Sequence, residues 1–127
     1  MGEQLTARQR PARNRPCAVI AAVVLLTGCG GSGDDPELAQ GQELFQANCA
    51  RCHGPQATGT AMGPPLVHEN YEPSHHDDDA FRNAVRNGVS PHHWDFGPMP
   101  AIPALDDQEI DAIIGYVRGL QRAAGIE

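Results

Sequence analysis

The sequence predicts an all-α domain over residues 36–127. Three observations carry this. Helix-start chemistry recurs at Asp35-Pro36, at Asp77–Asp79 and at Asp106 with Glu109. Apolar residues at helical spacing follow each start. No convincing run of period-two alternation occurs anywhere, so almost no sheet is expected.

Each helix has its own logic. In the first, Asp35 suits the N-cap and Pro36 the first helical position. Leu38, Gly41, Leu44 and Phe45 then share one face. Gly41 costs helix stability relative to alanine, which implies a packing reason for it. A second long helix is predicted over Asp77–Asn87. Asp78 and Asp79 favour its first turn, Arg86 its last, and Gly88 its C-terminal stop. Ala80, Phe81, Ala84 and Val85 form its apolar side. A final helix begins at Asp106, where Glu109 three residues on comes close to a capping box. Ile110, Ile113, Ile114, Val117 and Leu120 make its amphipathic stripe.

Composition divides the chain of 127 residues in two. There are 9 basic and 16 acidic residues, a formal charge of −7. All the basic residues are arginines, and Arg8, Arg10, Arg13 and Arg15 lie in the first fifteen positions. After them, Cys17–Leu26 is an unbroken apolar run. As a helix it rises roughly 15 Å, about half a bilayer core. A basic start, a short apolar run and small residues form a secretory signal over residues 1–28. Leu26-Thr27-Gly28-Cys29 looks like a bacterial lipobox, which makes Cys29 the lipidated first residue of the mature chain. Residues 29–35 read as a flexible tether and 36–127 as the folded domain. The chain after residue 28 has a net charge near −10. It has no basic cluster, which argues against nucleic-acid binding. Only six residues are aromatic, thin for a core, so a domain this small needs outside help to fold.

The chemistry lies in Cys49-Ala50-Arg51-Cys52-His53, which reads C-x-x-C-H, a c-type haem attachment site. Two thiols about one helical turn apart add to two vinyl groups on one porphyrin edge. The adjacent imidazole then comes under the iron. Other uses of the pair fit less well. A thioredoxin-like site needs a βαβ setting, a zinc site needs further ligands, and a disulfide across three residues is a poor staple.

From about Pro36 to Gln121 the chain resembles a class I cytochrome c. Gly41, Phe45, Cys49, Cys52 and His53 sit at that family's spacing. Gly63-Pro64-Pro65-Leu66 looks like its G-P-x-L loop, and Met99-Pro100 like its distal-ligand segment. Leu105–Leu120 resembles its C-terminal helix, with Tyr116 in the aromatic position. The resemblance implies a cytochrome c fold of three to four helices around one covalent haem c. The N- and C-terminal helices would cross, with Gly41 and Phe45 meeting Ile113 and Tyr116. His53 would bind the iron, steadied by the Pro64 carbonyl, with Met99 opposite. Met62 is the rival distal ligand, but it lies only nine residues past His53, short for passing around a haem edge.

Five further histidines compete for roles: His68, His75, His76, His92 and His93. Two of them with Asp77–Asp79 would make a second metal site, or His93 would displace Met99. The alternative is that they are solvated loop residues. Arg82, Arg86, Tyr71 and Trp94 are candidates to hydrogen-bond the haem propionates.

The function expected is one-electron transfer by a lipid-anchored monohaem cytochrome, exported to the periplasmic or outer cell-surface side. It would have no small-molecule substrate and would not be an enzyme. Its partners would be redox proteins with basic docking faces and the membrane surface itself. Two alternatives stand beside it. One is a haem domain with an open distal position, a peroxidase or gas sensor. The other is a histidine-rich metal carrier.

Overall fold

Asp35 accepts a hydrogen bond from the Glu37 amide at 3.0 Å, and Pro36 takes the first helical position. Together they start α1 (Pro36–Asn48), in a computed structural model that describes residues 35–127. The expectations for the signal peptide, most of the tether and the Cys29 lipid site lie outside the described residues. A short α2 (Ala50–His53) follows Cys49, and Gly54 ends it. Next comes α3 (Asp78–Asn87), where the Asp77 carboxylate accepts the Ala80 amide at 2.8 Å. Asp77 is therefore the cap, which moves the helix start one residue past the sequence expectation. The last helix, α4 (Asp107–Ala123), opens with a complete capping box. The Glu109 amide donates to Asp106 at 2.9 Å, and the Asp106 amide to Glu109 at 3.0 Å.

Among the described residues there is no strand, only one isolated antiparallel bridge between Val89 and Met99. This is the all-α architecture that the helix signals predict. A single 3-10 turn, Glu69–Tyr71, had no apolar periodicity to announce it.

The main packing contact is the crossing of α1 and α4. Gly41 makes it possible. A Cβ there would fall on the Ala112 carbonyl oxygen and come within 3.0 Å of Tyr116 Cβ. Beside that contact the rings of Phe45 and Tyr116 lie 5.4 Å apart and tilted. Phe45, Ile113, Tyr116 and Val117 form one buried cluster. Burying a side chain like Phe45 contributes about 1.5–3 kcal/mol. A second cluster of Val85, Ile110 and Ile114 joins α3 to α4.

Arg118 ties these parts together. It is buried at 7% exposure, with its guanidinium 4.6 Å from the centre of the Phe81 ring. It donates to Asp78 at 2.9 Å, to Gln121 at 2.7 Å, and to the carbonyls of Tyr71 and His76. Gln121 in turn donates to the carbonyls of Leu66 and Tyr71. One polar pair on α4 thus anchors the long loop between α2 and α3 and the first turn of α3.

Candidate functional site

The helices leave one apolar cavity of about 340 Å³. That is within the range of small-molecule and cofactor sites. Five of the six aromatic residues line it: Phe45, Tyr71, Phe81, Trp94 and Phe96. The thin aromatic content is thus concentrated on a cleft, which the bare polypeptide does not fill.

Cys49, His53, Pro64 and Met99 all line this cavity. Cys49 sits at the junction of α1 and α2, with Cys52 and His53 on the single turn that follows. His53 is buried, and its Nδ1 lies 2.8 Å from the Pro64 carbonyl oxygen. A carbonyl can only accept, so Nδ1 carries the proton and donates it. That leaves Nε2 with a free lone pair. Burial also lowers the His53 pKa, only partly offset by the Pro64 bond, so the ring is neutral near pH 7. A neutral imidazole with one nitrogen tied to a carbonyl is the form that ligates a metal.

Cys49 and Cys52 are not joined to each other. Burial, and then the neighbouring Cys52, push the Cys49 thiol up to about 11. Redox-active thiols need the opposite shift. With no strand among the described residues to supply a βαβ setting, this disfavours a thioredoxin-like exchange site.

Gly63 presses the Pro64 loop onto α2. A Cβ at Gly63 would meet the Cys52 carbonyl at 3.0 Å. Met99 is held from the other side. Its amide and carbonyl exchange hydrogen bonds with Val89 at 2.9 and 3.0 Å. Gly88, at the end of α3 with φ of 75°, allows the approach, since a Cβ there would lie 2.6 Å from the Met99 carbonyl. Met62 does not line the cavity and is 52% exposed.

Of the propionate candidates, Tyr71 and Trp94 line the cavity, whereas Arg82 and Arg86 do not. Arg82 pairs with Asp79 and Asp111, and Arg86 with Asp107. Trp94 Nε1 is buried and has no hydrogen-bond partner among the described residues. An indole N–H so placed suits an acceptor on a bound group. The apolar cleft, the free imidazole nitrogen, the Cys49 thiol on its wall and this donor together fit a haem; Cys52, on the turn that follows, does not line the cleft.

Sequence reasoning missed Arg118 and Gln121. They stand four residues beyond Ile114 and Val117, on the continuation of the apolar stripe. A polar residue at that spacing is the signal of a buried anchor. The aspartates expected beside the histidines are a correction. Asp77 caps α3, Asp78 pairs with Arg118, and Asp79 pairs with Arg82. None joins the histidines: the ligand atoms that lie within 4.8 Å of one another are those of His75, His76 and His93.

These helices and this cleft are those of an all-α domain built to enclose a haem. The cytochrome c family model matches residues 38–121, and the chain belongs to the cytochrome c family. It is a class I monohaem domain with one covalently bound haem c.

Relatives place it more finely. It is 32% identical over 95 residues to the Cbb3-type cytochrome c oxidase subunit CcoP of Rhodobacter capsulatus. That match covers 72% of this chain and 32% of the subunit, so the chain spans about a third of that relative. It is also 32% identical to cytochrome c-554(547) of Halothiobacillus neapolitanus, over 67% of this chain and 98% of that protein. Identity to cytochrome c6 of Bryopsis maxima is 35%, over 67% and 91% of the two chains. Among solved structures, the c-type cytochrome XoxG from Methylobacterium extorquens AM1 shares the fold. The TM-score is 0.55 at 20% identity, covering 68% of this chain and 52% of that one. No described helix is long and apolar enough to cross a membrane.

Proposed function

We propose that this domain is a one-electron carrier in which His53 and Met99 are the two axial ligands of the haem iron. The observation that carries the reading is that His53 and Met99 line one apolar cavity while the rival Met62 is exposed. Haem c supplies an iron that cycles between ferric and ferrous states. Cys49 and Cys52 would hold it covalently. The Pro64 carbonyl fixes the His53 ring and its tautomer. Met99 offers a soft thioether, which favours the ferrous state and raises the potential. Phe45, Phe81 and Phe96 give the cleft apolar walls.

Export and lipidation at Cys29 would hold the carrier at a membrane surface. Confinement there raises its effective concentration toward membrane partners. The acidic chain suits partners with basic docking faces. The relatives support redox proteins as partners in kind: one is named as an oxidase subunit and another as a 4-cresol dehydrogenase cytochrome c subunit.

An optical redox titration of the haem-loaded protein, with carbon monoxide added to the reduced form, tests this reading. One reversible one-electron step and slow carbon monoxide binding are expected. Rapid carbon monoxide binding at neutral pH would mean an open distal position, and a peroxidase or sensor instead.

A further inference from the structure

Four of the six histidines converge in space. His75 and His76 precede α3, and His92 and His93 follow it. The fold brings the two pairs together. Ring centroids lie 5.1 Å apart for His76 and His93, 5.2 Å for His75 and His93, and 4.3 Å for His92 and His93. His75, His76 and His93 each offer a ring nitrogen, all within 4.8 Å of one another. His92 adds Nε2, 3.2 Å from His76 Nε2. His68 stands apart, with its Nδ1 accepting the Asn70 amide at 3.1 Å.

Crowding of this kind needs a cause. Among the described residues, His93 Nε2 is buried and has no hydrogen-bond partner. Leaving a buried polar atom unpaired costs about 1–3 kcal/mol. Protonation does not relieve the cluster, because it would set positive rings against each other and against Arg118. Burial holds both His76 and His93 below the ordinary histidine pKa; a backbone hydrogen bond to Asn70 partly opposes this in His76, and neighbouring histidines add to it in both. Their lone pairs stay available near pH 7. Asp77, Asp78 and Asp79 each have a partner outside the cluster and none falls within it, so the donors brought together are all nitrogen.

We propose that His75, His76 and His93, with His92 as fourth ligand, bind one divalent transition-metal ion, zinc(II) or copper(II). Imidazole donors suit these borderline ions, whereas calcium and magnesium need oxygen. Zinc–nitrogen bonds of about 2.0–2.1 Å place tetrahedral ligand nitrogens about 3.4 Å apart. The His76–His92 pair already has that spacing, and the exposed His75 and His92 rings sit on loops where rotation closes the rest. The ion would link the loop before α3 to the loop after it, which leads on to Met99. His76, His92 and His93 also line the haem cavity, so the site lies on its wall.

The test is titration of the haem-loaded protein with zinc(II) alone by calorimetry. A parallel copper(II) titration is read by electron paramagnetic resonance. One ion per haem is expected, with a copper spectrum carrying nitrogen couplings and an unchanged haem spectrum. Affinity should fall at least tenfold in His75→Ala/His92→Ala, whose positions are exposed and leave the core intact. His76→Gln/His93→Gln should abolish the site. No saturable binding, or stoichiometric binding that survives both double variants, would overturn the proposal. Failure of metal binding with an intact His/Met haem spectrum would remove this site and leave the electron-carrier reading standing.

Discussion

The Pro64 carbonyl accepts the Nδ1 proton of His53 at 2.8 Å, across a separation of eleven residues. This single bond joins the thiol-bearing turn to the next loop. It fixes which nitrogen of His53 faces the cavity as a base. Burial at the same place lowers the His53 pKa, so the fold prefers the neutral ring.

A pH dependence follows. The unfolded pKa is about 6.5, and the folded value lies below it. Between the two, the unfolded chain binds more protons, so stability rises with pH through that window. Above pH 6.5 the contribution is complete. Below it the contribution is lost progressively until the folded value is reached. An acid titration of the haem-loaded protein, followed in the visible spectrum, should show ligand loss with a midpoint below 6.5. A midpoint at 6.5 or above would mean that His53 is not protected.

Gly41→Ala should separate α1 from α4. The added methyl would fall on the Ala112 carbonyl, which is helix backbone and cannot rotate away. A loss of about 3 kcal/mol is expected, at the upper end for overpacking. Guanidinium unfolding of the haem-loaded variant measures it, and an unchanged midpoint would mean the crossing has room for a methyl group.

Asp106→Ala removes one half of the capping box at the start of α4. The cost should be about 1 kcal/mol, because the Glu109 amide loses its acceptor near solvent. Thermal unfolding reads the loss. Asp106→Asn, which keeps an acceptor, should recover most of it.

Arg118→Leu leaves the His76 carbonyl without a partner and frees Asp78, which is half-exposed and can be hydrated. A cost of about 2–3 kcal/mol is expected. Arg118→Lys should recover little, since one ammonium cannot reach both carbonyls, Asp78 and Gln121. Denaturant unfolding of both variants gives the comparison.

Much of the fold was legible because its signals are local. Asp35, Asp77 and Asp106 cap helices that start where those side chains sit. Gly41 showed itself as a glycine that propensity alone would reject. The C-x-x-C-H run and the family spacing made the haem legible. Contacts made across long separations were less so. Arg118 reaches Tyr71 and His76 over more than forty residues, and only its place on an apolar stripe hinted at burial. The meeting of His75 and His76 with His92 and His93 depends on the loop after α3 turning back past the loop before it. No local pattern encodes that return. Of the aspartates beside the histidines, Asp77 and Asp79 have local partners in the Ala80 amide and Arg82, whereas the Asp78 partner, Arg118, lies forty residues away.

The central claim is that His53 and Met99 share the iron. The ferric spectrum of the haem-loaded protein, compared with Met99→Ala and Met62→Ala, tests it most directly. The account predicts a weak far-red band of methionine–iron bonding in the wild type. That band should be lost in Met99→Ala and kept in Met62→Ala. A band that survives Met99→Ala, or is absent from the wild type, would contradict it.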